Sequence, residues 1–318
     1  GHPTQRQQLE EITRLQIFLD NANFGPGKID GKDGEFTRKA LKAWKRSQGE
    51  ENDGAEKETG PMDGRGLDLT SVNEVFTTYV ITKADVEGLG EIPDDLAIRA
   101  KLKWLPYTSL AEAIAERFHC DVDFFKDLNP QTIQTLKEGD EVTVPNVKPF
   151  ELDAIKALET DAQSKHGKRT RTPKENASTS NHEQKISLFL RIEEKVLEVY
   201  DGAKLIAVFP VSVGSEETSS PLGKWTVKAI ALLPTFRHDQ KMLKEGERSS
   251  TFHMLPPGPN NPVGVIWIAL DKDGIGIHGT NDPDLVGRIP SHGCIRLANW
   301  DIVKLATLIK SGVPVVVE

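Results

Sequence analysis

Only two of the 318 residues are cysteines, Cys120 and Cys294, which is too few for a disulfide framework and leaves a thiol available for chemistry. There is no run of about eighteen apolar residues, so the sequence predicts no membrane-spanning helix. The amino terminus, Gly1-His2-Pro3 followed by a polar helical pattern, lacks the charged-plus-apolar signature of a signal peptide. Positive charge is in deficit, with a formal net charge of -8, and this argues against a polyanion such as nucleic acid as partner. What is present is a 37% apolar fraction on a chain long enough for two or three domains with a sizeable core.

The chain changes character three times. In residues 1–76, Leu9, Ile12, Leu15, Phe18 and Leu19, and later Phe36, Ala40, Leu41 and Trp44, recur at helical steps, with turns at Gly25-Pro26-Gly27 and Asp30-Gly31. In residues 77–148 a strand-like Tyr79-Val80-Ile81 precedes two helix signals. Ser109 with Glu112 reads as a capping box before Ile114 and Phe118, and Asp121 caps a helix carrying Phe124, Phe125 and Leu128. Glu141 to Val144 then reads as a strand after the Gly139-Asp140 turn. Residues 149–183 begin with helix formers and continue, from Lys165 to Asn181, with almost nothing apolar, so this stretch is expected to be a flexible linker between mobile modules. From residue 184 to 318 the period becomes two. Ile186, Leu188, Leu190 and Ile192 alternate, more strands run around Asp201-Gly202, and an amphipathic helix from Trp300 to Ile309 precedes the strand Val313 to Val317. Cys120, after a helix pattern in the second module, reads as a packing residue.

Chemistry concentrates in Ile277-His278-Gly279-Thr280 and in Ser291-His292-Gly293-Cys294-Ile295-Arg296-Leu297. A thiol attacks an acyl carbon as thiolate, and its usual pKa of about 8.5 calls for a neighbouring imidazole. Either His278 or His292 can serve. If residues 292 to 294 are extended, both side chains share a face, whereas a turn at Gly293 separates them. Gly293 also permits the N–H groups of His292, Gly293 and Cys294 to converge as an oxyanion hole. Gly279 lets a backbone carbonyl approach the His278 ring, and Arg296 can grip a carboxylate with two prongs. A zinc site from these side chains is the chemical rival, but their spacing is not a usual zinc pattern and the module has no second cysteine, so neither metal nor cofactor is expected.

The His278-Gly279-Thr280 and Ser291 to Cys294 segments resemble the signature of the YkuD-type L,D-transpeptidase family. The likeness extends to Ser220-Pro221-Leu222-Gly223-Lys224-Trp225 and to Pro257 through Gly264. It implies Cys294 as nucleophile, His278 as base, Gly279 as its backbone orienter, and Ser291, His292, Gly293, Thr280 and Arg296 around the substrate. Arg296 stands where many members have Asn. The stretch Leu232 to Pro262 looks like the loop that covers the cleft. Residues 1–76 resemble a helical peptidoglycan-binding-like domain, and residues 77–148 resemble a LysM module with an insertion at about 86–106. The implied architecture is multidomain α+β, with a mainly-β, sandwich-like catalytic domain over 184–318. The implied reaction is acyl transfer on peptidoglycan stem peptides through a thioester, for cross-linking or attachment to an amine such as a lipoprotein lysine. Hydrolysis by an L,D-carboxypeptidase and a non-catalytic wall-binding adaptor are the alternatives. Stem peptides and glycan are the implied partners, and the cell envelope, periplasmic or exported, is the implied location.

Overall fold

A computed structural model describes residues 4–50, 67–131, 135–156, 185–215 and 220–318. The first module contributes α1 (Gln5–Asn21) and α2 (Glu35–Ser47). Helix α1 starts at Thr4, whose side chain accepts from Gln7 while the Gln7 side chain accepts from the Thr4 N–H. The second module holds β1 (Phe76–Val80), α3 (Lys83–Glu87), α4 (Leu96–Arg99), α5 (Leu110–Arg117), α6 (Val122–Leu128) and β2 (Glu141–Pro145). Strands β1 and β2 pair antiparallel, and the segment between β1 and α5 folds as the two short helices α3 and α4. Ser109 and Asp121 cap α5 and α6 as their positions suggest. The Glu112 carboxylate, however, accepts from the Thr108 N–H at 2.8 Å, one residue ahead of the cap.

The remaining strands are β3 (Ile186–Arg191), β4 (Val196–Asp201), β5 (Lys204–Pro210), β6 (Gly223–Leu232), β7 (Phe236–His238), β8 (His253–Leu255), β9 (Ile266–Leu270), β10 (Gly276–His278), β11 (Ile295–Arg296) and β12 (Pro314–Val317). Two helices accompany them, α7 (Gln240–Glu245) and α8 (Asn299–Leu308). Eight strands form one sheet in the order β11-β10-β9-β6-β12-β3-β4-β5. The sheet then curls on itself. Just beyond β5, Ser212 exchanges backbone hydrogen bonds with Arg296 of β11 at 2.9 and 3.0 Å. The sandwich-like layering that the resemblance implied therefore comes from a single curled sheet. Its interior is hydrocarbon: Leu188, Leu197, Val199, Phe209, Ile268, Ile277, Ile295 and Val315 are all buried, and Trp300, Ile302 and Leu305 of α8 seal one side.

The amino-terminal modules are docked on this sheet. Leu15, Leu19, Phe24 and Ala40 share a core with Val196, Leu205 and Val208, and the Gly25 N–H donates to the Val208 carbonyl at 2.7 Å. Phe150 and Ile155, at the start of the expected linker, are buried in the sheet's own core. Residues 157–184, including the basic run Lys165 to Asn181, lie outside the described residues. Among the described residues no helix is long and apolar enough to cross a membrane.

Candidate active site

Three neighbouring strands place one residue each in a row: Trp267 on β9, His278 on β10 and Arg296 on β11 are cross-strand partners. Because side chains alternate along a strand, residues 276 and 294 belong to the adjacent row on the same face. Cys294 sits there half-buried, with Sγ 3.5 Å from the Gly274 carbonyl oxygen. A Cβ at position 276 would lie 2.5 Å from the Trp267 ring, so glycine makes room for the indole. That indole stacks on the His278 imidazole, with ring centres 5.4 Å apart and planes 14° from parallel.

His278 is 5% exposed, and its Nδ1 lies 2.6 Å from the Gly279 carbonyl oxygen. A carbonyl can only accept, so Nδ1 carries the hydrogen and Nε2 is left with its lone pair. Burial lowers the His278 pKa to about 4, with the Arg296 charge adding to the effect and the Gly279 hydrogen bond opposing it. Burial also pushes the Cys294 thiol up, against the Gly276 hydrogen bond and Arg296. At neutral pH the resting pair is accordingly a thiol and a neutral imidazole.

Gly293 has φ 107°, a conformation open to glycine and strained for other residues. The turn it makes separates its neighbours: His292 is exposed while Cys294 faces inward. The turn is braced by hydroxyls. Ser291 donates to the Cys294 carbonyl and accepts from the Gly293 N–H at 3.3 Å. Ser220 donates to the Gly293 carbonyl at 3.0 Å and accepts from the Gly214 N–H at 2.9 Å, which ties the Ser220 to Trp225 segment to the thiol turn. Thr280 is buried and accepts from the Asp282 N–H at 3.1 Å, shaping the loop after the histidine. Arg296 is half-buried, and its Nη1 is a buried donor with no hydrogen-bond partner among the described residues.

Between β6 and β9 the segment expected to cover the cleft folds as the hairpin β7–β8 with α7 inside it. Met242 of α7 approaches Gly274, with its Cε 3.8 Å from where a Cβ would stand there, so the hairpin reaches the loop on which the thiol rests. Asn260, at its carboxyl end, donates to the Pro106 carbonyl and to Glu112, each at 2.7 Å. A cavity of about 300 Å³ lies elsewhere, between α2 and residues 283–288. None of the sequence-predicted site residues lines it.

Trp267 and Asn299 were not singled out by the sequence. Trp267 is the one aromatic ring in the apolar run Ile266 to Leu270, and Asn299 is a polar residue at the start of a largely apolar helix. Each was a visible irregularity without a visible partner.

Residues 186–317 match the family model described as the L,D-transpeptidase catalytic domain, YkuD. The YkuD protein of Bacillus licheniformis, named as an L,D-transpeptidase, is 29% identical over 118 residues, covering 37% of this chain and 56% of that protein. YqjB of Bacillus subtilis, which bears the same activity name, is 33% identical over 119 residues, covering 36% of this chain and 60% of its own length. The chain thus spans little more than half the length of these curated relatives. The solved catalytic domain of an E. faecium L,D-transpeptidase is 22% identical with a TM-score of 0.34, covering 43% of this chain and 100% of that one. Over residues 186–317 the chain is therefore similar to the L,D-transpeptidase catalytic domain described as YkuD, and its curated relatives carry the same activity name.

Proposed function

We propose that this protein is an L,D-transpeptidase that uses Cys294 to transfer acyl groups between peptidoglycan stem peptides. The observation that carries the reading is the His278 hydrogen bond to the Gly279 carbonyl at 2.6 Å, which leaves Nε2 free on the strand beside the thiol. His278 takes the thiol proton as sulfur attacks the carbonyl carbon after the diamino acid at position three of a tetrapeptide stem. The tetrahedral oxyanion is met by backbone N–H groups of the His292-Gly293-Cys294 turn, where the long Gly293 contact to Ser291 is readily exchanged for an anion. His278 then protonates the leaving D-alanine amine, and the thioester is resolved by a second amine, with His278 again as base. Arg296, with an unmatched buried donor, is suited to a substrate carboxylate, and Ser291 and Thr280 hold the loops that line the cleft.

The fold of the first two modules fits a role in holding the enzyme on glycan, and a wall-directed activity fits the cell envelope. Incubation with wall muropeptides tests the reading: cross-linked products and released D-alanine are expected by mass spectrometry, and products shortened by one residue without cross-links would replace transfer with hydrolysis. A carbapenem, whose strained amide presents a comparable electrophile, is expected to add its mass to the protein and to Cys120→Ala but not to Cys294→Ala. An adduct that survives in Cys294→Ala overturns the nucleophile assignment.

A further inference from the structure

The contacts around Asn299 connect the second module to the histidine. Asn299 is fully buried, and its carboxamide oxygen accepts from the Val265 N–H at 3.2 Å. That oxygen is wedged between two glycines, since a Cβ would come within 2.3 Å of it at Gly279 and within 2.2 Å at Gly264. The carboxamide nitrogen donates to Glu116 of α5 at 3.0 Å, and its only other acceptor among the described residues, the Pro259 carbonyl, is at 3.4 Å. Glu116 is itself buried, with its second oxygen accepting from the Tyr107 hydroxyl. Asn260 holds the neighbouring Glu112.

An amide has one face that donates and one that accepts, and its orientation is set by what each face meets. Glu116 presents an oxygen, so the nitrogen turns toward it and the oxygen toward Val265. Without Glu116 the carboxamide nitrogen keeps only the long contact to the Pro259 carbonyl, so the amide is no longer held firmly and its oxygen can shift against the two glycines. Gly279 is the residue whose carbonyl orients the His278 ring.

From this chain of contacts we infer that Glu116, which belongs to the second module, is a positioning residue for acyl transfer, acting through Asn299 on Gly279 and so on the His278 ring. The inference rests on the proposed role of His278 as base. It gives the second module a part in the chemistry, beyond any binding of the wall.

The test is the rate of carbapenem acylation of the full chain, followed by intact mass at saturating reagent. Glu116→Ala should slow acylation about tenfold or more, while Glu116→Gln, which keeps an oxygen toward Asn299, should stay within about twofold of the parent. In a His278→Ala background Glu116→Ala should cost less than about twofold further, because the group it positions is gone. Should Glu116→Ala fail to fold, Glu116→Asp, with its carboxylate withdrawn by one methylene, should show a smaller loss that also vanishes in that background. Equal slowing in both backgrounds, or no slowing in a parent that His278→Ala does impair, overturns the inference alone. No slowing by His278→Ala overturns the base assignment and the inference with it.

Discussion

Between β3 and β12 the interior of the sheet is filled by Leu188, Val199, Phe209, Ile268 and Val315, with hardly a polar atom among them. The seams between modules are filled differently. There Asp20 of α1 accepts from His119 at 2.9 Å and pairs with Lys304 of α8 at 2.8 Å. His119 lies flat on Trp300, Glu116 meets Asn299, and Asp301 is buried with both carboxylate oxygens unpartnered among the described residues. Hydrocarbon cores accept many sequences of about the right volume, whereas buried polar pairs accept one arrangement and penalise others. The contrast teaches that the catalytic domain is stabilised by bulk and the docking of its partners by specific matches. The candidate site at His278 lies beside one such seam, where Asn299 meets Glu116 on one side and Gly279 on the other.

The sharpest way to separate the two regions is to remove a group from each. His278→Ala, a deletion at the chemical end of the sheet, should slow carbapenem acylation by roughly 10²- to 10⁴-fold with little change in the unfolding midpoint. His292→Ala, exposed and outside the turn, should act far more weakly, and reversed effects in the same kinetics would move the base to His292.

Asp20→Ala should do the opposite. Burial alone would raise the Asp20 acid, but His119 and Lys304 together pull it below the usual carboxylate range, so the carboxylate is ionised and needed. Its removal strands Lys304 and His119 at a buried seam and should cost about 3–5 kcal/mol in urea unfolding, while the folded fraction is still labelled at close to the parent rate. A loss below about 1 kcal/mol would mean that the seam contributes no more than an exposed pair.

A pH series sharpens the comparison further. Burial raises the Asp301 pKa to about 8, with Lys304 opposing and Asp20 reinforcing the shift. Between about pH 4 and pH 8 the folded protein holds a proton there that the unfolded chain has released, so stability should fall as pH rises through this window. Asp301→Asn should flatten that slope and raise stability at pH 8 by roughly 1–3 kcal/mol, read from urea midpoints at several pH values. An unchanged slope would remove Asp301 as its source.

The smallest effect expected is in the pH profile of acylation. With His278 at about 4 and the thiol raised, the rate should be nearly level from about pH 5.5 to 7.5 and fall only as pH approaches 4, where the imidazole takes up its proton. A steep rise across neutrality would instead mark direct attack by free thiolate.

These two kinds of interior were not equally legible. Alternation in Ile186 to Ile192 and the apolar run Val313 to Val317 were sufficient to place strands, because a strand half covered by a core must alternate or run apolar wherever its partners are. His278 and Cys294 stood out because glycine and a nucleophile in sequence proximity have few other uses. Glu116 and Asn299 did not stand out, since they are 183 positions apart, and a glutamate on an amphipathic helix reads as solvated until another module covers it. Similarly, the polar stretch from Lys165 to Asn181 suggested mobile modules, yet the docking contacts come from Gly25, His119 and Glu116, none of which belongs to the connector.

The curl of the sheet has a consequence for how activity is acquired. The thiol turn is braced by Ser212, Val213 and Gly214 from one end of the sheet and by β10 from the other, so it exists only when segments about eighty residues apart have closed on each other. Before that closure Cys294 lacks the contacts that shape its turn, so the sheltered thiol is a product of long-range assembly. In Cys120→Ala, loss of alkylation by a small reagent together with gain of acylation by a β-lactam should therefore report the closure of the sheet around Cys294.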